Sequence, residues 1–292
     1  MLKEIVILSG KGGTGKTSIT AAISNMLSQK QKIIIADCDT DATNLHQILQ
    51  PTLIDKNDFY SGKIARIKQD TCTSCGKCVK VCRFSAIETF NHGEQTRINS
   101  KKCEGCGVCD LVCYPTRSII FKDRLVGNIK TSQTPAGILV HGGLLPGGEN
   151  SGHLVTAIRK KARDLANTEN ATTILIDGPP GIGCQSIASL TGVTEAILVS
   201  EPTVSAIHDT ERIIELCKHF NIPATLTVNK ADINAELSKK LHQLASKNNI
   251  KIAPSIPYDK EVINAQLKGE SFILNKNTSA SIALNNFFKT VF

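Results

Sequence analysis

A short apolar run, Ile5-Val6-Ile7-Leu8, leads straight into Ser9-Gly10-Lys11-Gly12-Gly13-Thr14-Gly15-Lys16-Thr17. No other stretch constrains the fold as strongly. Four continuous apolar residues read as a buried strand. The glycines let the backbone curl so that its N–H groups face phosphate oxygens. A helix opening at Lys16 adds partial positive charge at its N-terminus. Such a loop works between a strand and a helix, so it commits the chain to an α/β layout. Ile33–Ala36, Thr173–Ile176, Ala196–Val199 and Thr225–Val228 read as further strands. Lys16–Gln29, Leu154–Leu165, Thr210–Phe220 and Ala235–Lys247 read as helices. Short apolar strands alternating with helices imply a parallel sheet covered on both faces.

Eight of the eleven cysteines fall between Cys72 and Cys113. They form two C-x2-C-x2-C-x3-C runs. The first is Cys72, Cys75, Cys78 and Cys82; the second, 31 residues on, is Cys103, Cys106, Cys109 and Cys113. Ligands at i, i+3 and i+6 wrap one corner of a cubane, and the fourth cysteine ligates the other cluster. The pattern predicts Cys72, Cys75, Cys78 and Cys113 on one [4Fe–4S] centre. It predicts Cys103, Cys106, Cys109 and Cys82 on the second. Structural zinc takes paired C-x2-C knuckles with a long spacer, so two identical runs favour iron–sulfur. The segment 66–123 resembles a bacterial two-cluster ferredoxin inserted into the α/β domain. Cys38, Cys184 and Cys217 are expected to be small buried hydrophobes.

Lys11 is an extra lysine early in the glycine loop. With it, Lys11-Gly12-Gly13-Thr14-Gly15-Lys16-Thr17 resembles the deviant Walker A of the MinD/ParA/nitrogenase-iron-protein superfamily. The fold expected is therefore an α/β P-loop ATPase domain, 1–65 and 124–292, with an inserted α+β ferredoxin domain at 66–123. ATP would lie on Gly12, Gly13, Thr14, Gly15, Lys16, Thr17 and Ser18. Lys16 would reach the β/γ-phosphates, and Thr17 would bind Mg²⁺. The resemblance implies that Lys11 crosses a dimer interface to the nucleotide of a second copy or of a paralogous ATPase. Asp37-Cys38-Asp39-Thr40-Asp41 ends the second strand. Asp39 is assigned first, and Asp41 second, as the carboxylate that orients attacking water; one of the three acids is expected to cap a helix at Asn44-Leu45. Ile174 to Gly181 resembles Walker B and switch II, with Asp177 holding Mg²⁺ through water and the Gly181 N–H on the γ-phosphate. Asn229 and Pro257 resemble base-binding residues, with Asn229 on adenine.

Hydrolysis would move Asp37–Asn44 and Asp177–Gly183, and the insert leaves soon after the first of these. The function expected is ATP-gated electron transfer from two [4Fe–4S] clusters to a redox partner. Alternatives are iron–sulfur or metal-cofactor assembly for a partner protein, and a positioning or scaffold ATPase with structural or sensory clusters. The closed eight-cysteine site argues against assembly through a labile cluster. A nitrogenase-type bridging cluster needs a second cysteine near Gly148–Gly152, and none is there. The loop Pro146–His153 reads either as a partner or substrate loop or as a surface connection capped by Ser151. The formal net charge of +8 raises nucleic acid as a partner. Two four-thiolate clusters at about −2 each, with phosphates, offset part of that charge, so no nucleic acid is expected. No apolar run reaches signal-peptide or membrane-span length, which suggests a soluble, cytoplasmic protein. The C-terminal face of Ile282, Leu284, Phe287, Phe288, Val291 and Phe292 has only Lys289 for basic charge. It is expected to pack on the body or a partner rather than enter a membrane.

Overall fold

The structure, a computed structural model, describes residues 2–148 and 151–292. In chain order come β1 (Lys3–Ser9), α1 (Lys16–Ser28), β2 (Ile33–Asp37), α2 (Leu45–Leu49) and β3 (Thr52–Ile67). Next are α3 (Lys77–Val81), β4 (Ile87–Phe90), β5 (Gln95–Ile98), α4 (Val108–Leu111), β6 (Ile119–Thr134) and β7 (Gly137–Leu144). Then follow α5 (Ser151–Glu169), β8 (Thr173–Pro180), α6 (Cys184–Leu190), β9 (Glu195–Ser200), α7 (Val204–His219) and β10 (Ala224–Val228). The chain closes with α8 (Ala235–Lys247), β11 (Lys251–Ile252), α9 (Lys260–Leu267) and α10 (Ser279–Val291).

A nine-stranded sheet has the order β11-β10-β9-β1-β8-β2-β7-β6-β3. β1 pairs in parallel with β8 and β9, and β2 with β8 and β7. β10 pairs in parallel with β9 and β11. Of these, β1, β2, β8, β9 and β10 are the strands read from continuous apolar runs, whose residues are buried on both faces, whereas the two-residue edge strand β11 is exposed. β6 and β7 are joined by a two-residue turn at Pro135-Ala136, which only antiparallel neighbours allow. The sheet is therefore mostly, not wholly, parallel. Ile7, Ile19, Ile23, Ile35, Leu139 and Leu175 belong to the main core, and Leu284, Phe287 and Phe288 of α10 bury into the same cluster. Truncating the fully buried Phe287 to Ala would cost about 3–5 kcal/mol.

Two local boundaries differ from the sequence expectation. α7 starts at Val204 because the Thr203 hydroxyl caps it by accepting the Ala206 N–H at 3.2 Å. The helix read from Thr210 therefore begins earlier, at Val204. None of Asp37, Asp39 and Asp41 caps α2, whose N-cap position is Asn44 without a side-chain cap bond. The Glu149-Asn150 part of the Pro146–His153 loop and the Ser151 cap fall outside the described residues.

The chain divides into two compact units. One comprises the stretch ending at Asn57, Asn128–Leu144 and Ser151–Phe292. The other comprises Asp58–Gly127, joined by the stretch that begins at Leu145. β3 and β6 each run across that division. In the second unit β4 and β5 pair antiparallel, and Ala65, Ala86, Ile87, Cys103, Cys109 and Ile119 form a small core.

Candidate functional site

Between β1 and α1 the backbone turns through Gly13 and Gly15, at φ +81° and +87°. The positive φ favours glycine at position 15, and a β-carbon there would also push the Asn229 side-chain amide away from the Thr14 carbonyl. A cavity of about 450 Å³ opens over the loop. Gly12, Gly13, Thr14, Gly15, Lys16, Thr17 and Ser18 line it, with Asp39, Asn229 and Pro257. Its size suits a small-molecule ligand.

Asp177 lies in the carboxyl half of the central strand β8 and collects three donors. Its Oδ1 lies 2.9 Å from Lys16 Nζ and 2.8 Å from Thr20 Oγ1; its Oδ2 lies 2.8 Å from Thr17 Oγ1. Both members of the Lys16–Asp177 pair are buried. Asp37 sits opposite Asp177 in the β2–β8 register and is fully buried. Burial, and then the neighbouring Asp177 carboxylate, push its carboxyl well above the usual range. Asp39 borders the cavity with Oδ2 3.9 Å from Lys16 Nζ. Burial raises its carboxyl too, against the opposing pull of Lys16. Asp41 instead accepts a hydrogen bond from Gln185 at 2.7 Å. Among the described residues, Thr14 Oγ1, Asp37 Oδ2 and Thr40 Oγ1 are buried oxygens without a hydrogen-bond partner.

Lys11 lies against its own chain. Its Nζ is 2.8 Å from Glu201 Oε1 and 3.4 Å from Ser205 Oγ. Lys230 takes the other Glu201 oxygen at 2.9 Å and also donates to the Gly13 carbonyl at 2.9 Å. Burial pushes the Glu201 carboxyl up, but the hydrogen bonds from the two lysines outweigh it and hold it below the usual range. Asn229 donates its side-chain N–H to the Thr14 carbonyl at 2.8 Å. The Gly181 N–H, expected to face a phosphate, donates to the Ser9 carbonyl at 2.9 Å.

In the second unit, Cys72, Cys75, Cys78 and Cys113 line one cleft. Cys82, Cys103, Cys106 and Cys109 line another. Each run thus lends its fourth cysteine to the quartet of the other. Cys82 Sγ accepts the Ala86 N–H at 3.3 Å, and Cys113 Sγ accepts the Ser118 N–H at 3.2 Å. The Lys77 backbone N–H holds the Cys75 thiol below its ordinary pKa. Burial, then the nearby Cys103 and Cys106, push Cys109 up to about 11. Among the described residues, no three His, Cys, Asp or Glu side chains converge closely enough to hold a single metal ion. Cys38 and Cys217 are buried as expected, but Cys184 is exposed because it is the first residue of α6.

Residues 5–272 match the model of the CobQ/CobB/MinD/ParA nucleotide binding domain. The chain belongs to that family. An uncharacterised protein of Methanocaldococcus jannaschii is 36% identical over 235 residues, which is 80% of each chain. The septum site-determining protein MinD of Buchnera aphidicola is 27% identical over 310 residues, covering 100% of this chain and 90% of that one. Pyrococcus horikoshii MinD, solved as a complex with Mg-ADP, superposes with a TM-score of 0.59 at 19% identity, covering 100% of this chain and 96% of that one.

Several residues of this MinD/ParA-type site escape sequence reasoning. Thr20 lies one turn beyond Lys16 on the same face of α1, so the i, i+4 spacing could have found it. Glu201 directly follows β9, and an acid at the carboxyl end of a parallel strand is a usable signal. Arg159 of α5, which lies outside the cavity lining, carries no such signal either. It donates to the Ala188 and Thr191 carbonyls at 2.7 and 2.8 Å and pairs with Glu4 at 2.7 Å. Among the described residues no helix is long and apolar enough to cross a membrane.

Proposed function

We propose that the protein is an iron–sulfur ATPase. It binds and hydrolyses MgATP in its α/β unit and carries two [4Fe–4S] clusters in the insert at 66–123. The nucleotide cycle gates electron transfer to a protein partner, and the ATPase works as a dimer with itself or with a paralogue. The observation that carries this reading is the division of eight cysteines into two quartets beside their own clefts, in a chain with a P-loop cavity.

The residues present fit both groups. Thr14 Oγ1, Asp37 Oδ2 and Thr40 Oγ1 are buried polar atoms that hydrated Mg²⁺ and phosphate would satisfy. Thr17 and Asp177 would hold the ion, Thr17 through its hydroxyl and Asp177 through water. Cys72, Cys75, Cys78 and Cys113 would hold one cluster, and Cys103, Cys106, Cys109 and Cys82 the other. A single zinc draws thiolates to about 2.3 Å, whereas a cubane spreads four of them around a larger core. Two clefts, each lined by one quartet, suit two such cores. The clusters supply one-electron redox capacity at a potential tuned by hydrogen bonds to sulfur. The N–H groups of Ala86 and Ser118 make such bonds to Cys82 and Cys113.

On ATP binding Lys16 exchanges Asp177 for the β/γ-phosphates. Asp39 orients the attacking water, and its raised carboxyl suits a group that accepts a proton. Lys11 and Lys16 stabilise charge on the transferring phosphoryl group. Asn229 spends its N–H on Thr14, which leaves Oδ1 as an acceptor for the exocyclic amine of adenine. Guanine presents a carbonyl at that position.

Anaerobic redox titration with and without MgATP tests the reading. A preparation with about eight irons per chain, whose cluster potential or reactivity shifts with MgATP but not in Lys16→Ala, is the expected result. Identical titrations would sink electron gating, and an iron-free chain would sink the clusters.

A further inference from the structure

The cysteine repeat is symmetric in its ligands but not on its surface. In the 31-residue register, Lys77, Lys80 and Arg83 of the first run correspond to Val108, Leu111 and Tyr114 of the second. All six side chains are exposed; Leu111 is 82% and Tyr114 71% accessible. The same three places thus carry a cationic stripe on one repeat and an apolar stripe on the other. No Asp or Glu occurs between Asp70 and Glu88, so nothing in the first run's own sequence neutralises the stripe. The ion pairs described within the insert join Arg97 and Lys102 to Glu88. None of the described residues forms an ion pair with Lys77, Lys80 or Arg83.

We infer that the Lys77-Lys80-Arg83 stripe is the docking site for an acidic electron-carrier protein. The inference rests on the iron–sulfur reading of the insert. Lys77 and Lys80 lie on α3, which also carries Cys78, and Arg83 directly follows Cys82. Cys78 belongs to one quartet and Cys82 to the other. A protein seated on this stripe therefore approaches ligands of both. Redox encounters are small and short-lived, and unpaired surface charge is what steers them. The apolar stripe at Val108, Leu111 and Tyr114 offers no such steering and serves as the internal comparison.

The test uses the full-length protein loaded anaerobically with iron and sulfide, and flavodoxin as the acidic carrier. Binding is measured by calorimetry at low and high salt; with clusters first reduced by dithionite and the excess removed, one-electron transfer to the oxidised carrier, which reoxidises the clusters, is followed by stopped flow. Three proteins are compared: the parent, Lys77→Glu/Lys80→Glu/Arg83→Glu, and Leu111→Ser/Tyr114→Ser. The parent should bind at low salt and lose on the order of tenfold or more in affinity at high salt. Charge reversal should bring a similar loss at low salt, and the apolar variant should match the parent. Four results overturn the inference: no binding at low salt, salt-independent binding, binding unaffected by charge reversal, or a loss confined to Leu111→Ser/Tyr114→Ser. A fifth is duplex DNA that displaces flavodoxin from the parent and is itself lost on charge reversal. Iron per chain, read on the same samples, separates the two failures. An iron-free chain refutes the cluster reading, whereas an iron-loaded chain with charge-blind binding refutes only the docking site.

Discussion

Glu201→Gln tests how Lys11 is used. The Lys11 ammonium rests on Glu201 of its own chain at 2.8 Å, whereas its proposed role lies across a dimer interface. To act there it must leave Glu201. Both partners are partly buried, with side-chain exposures of 28% and 13%. A charge-assisted hydrogen bond is worth about 1.5–3 kcal/mol, and glutamine still offers Lys11 one oxygen. Partial solvation reduces the difference further, to about 1 kcal/mol per subunit. That corresponds to about fivefold in the association constant per subunit, and on the order of thirtyfold for a symmetric dimer. The assay is sedimentation velocity across protein concentrations with MgATP, in an Asp39→Ala background so that hydrolysis does not deplete the nucleotide. Glu201→Gln should tighten the dimer, and Lys11→Ala should remove the gain. Glu201 also holds Lys230, which donates to the Gly13 carbonyl. Lys230→Met is therefore the control, because it breaks that link and leaves Lys11 paired. An unchanged or weaker Glu201→Gln dimer with intact ATP affinity would refute the argument, as would Lys230→Met reproducing the effect.

Three further outcomes are expected. Removing Cys113 should erase the same electron-paramagnetic signal as removing Cys75, and removing Cys82 the same signal as removing Cys106, because the quartets are shared between runs; loss in the order of the linear runs would contradict this. Burial, then the neighbouring His46, lowers His141 to about 4. An unfolded histidine titrates near ~6.5, so between those values the unfolded chain takes up a proton that the native one refuses. Stability should decline as pH falls through that window, and urea unfolding of His141→Asn should show a shallower slope. Finally, ATP should bind more tightly than GTP, and calorimetry on Asn229→Ala should find that preference reduced; GTP binding as tightly as ATP to the parent would remove Asn229 Oδ1 as the discriminator.

The parallel half of the sheet is readable in the amino-acid sequence because its strands are buried on both faces. Ile5–Leu8 and Ile174–Ile176 leave no other apolar pattern open. β3 is illegible for the opposite reason. Thr52–Ile67 carries Asp55, Lys56, Asp58, Lys63 and Arg66 on a largely exposed strand with no period-2 apolar signal. It becomes a strand through pairing with β6, more than fifty residues further on, and no local window contains that. The loop glycines and the cysteine runs are legible because backbone φ and cluster geometry dictate residue type at fixed spacing. Glu201 has only its place at the carboxyl end of β9 to mark it; its partners are two lysines far apart in the chain, Lys11 and Lys230. Cys184 was expected inside because cysteine behaves as a small hydrophobe, yet its place at the head of α6 exposes it.

The chain path suggests how nucleotide state could reach the cysteines, and one residue tests it. α2 follows the Asp37–Asp41 acids and ends two residues before β3, the strand that runs into the insert. On the return, β6 turns directly into β7, and α5 follows β7 in the chain. Arg159 of α5 grips the Ala188 and Thr191 carbonyls around the end of α6, the helix that follows Asp177–Gly183. His46 on α2 stacks on His141 of β7, with ring centroids 5.6 Å apart, so the outgoing and returning paths touch. An aromatic stack of this kind contributes about 0.5–1.5 kcal/mol beyond its buried area. His46→Ala removes that link while leaving every residue that lines the nucleotide cavity in place. On the proposed reading, ATP hydrolysis should persist in this variant and the MgATP-dependent shift in cluster potential should shrink. A full shift in His46→Ala would show that the nucleotide signal does not travel through α2 and β7.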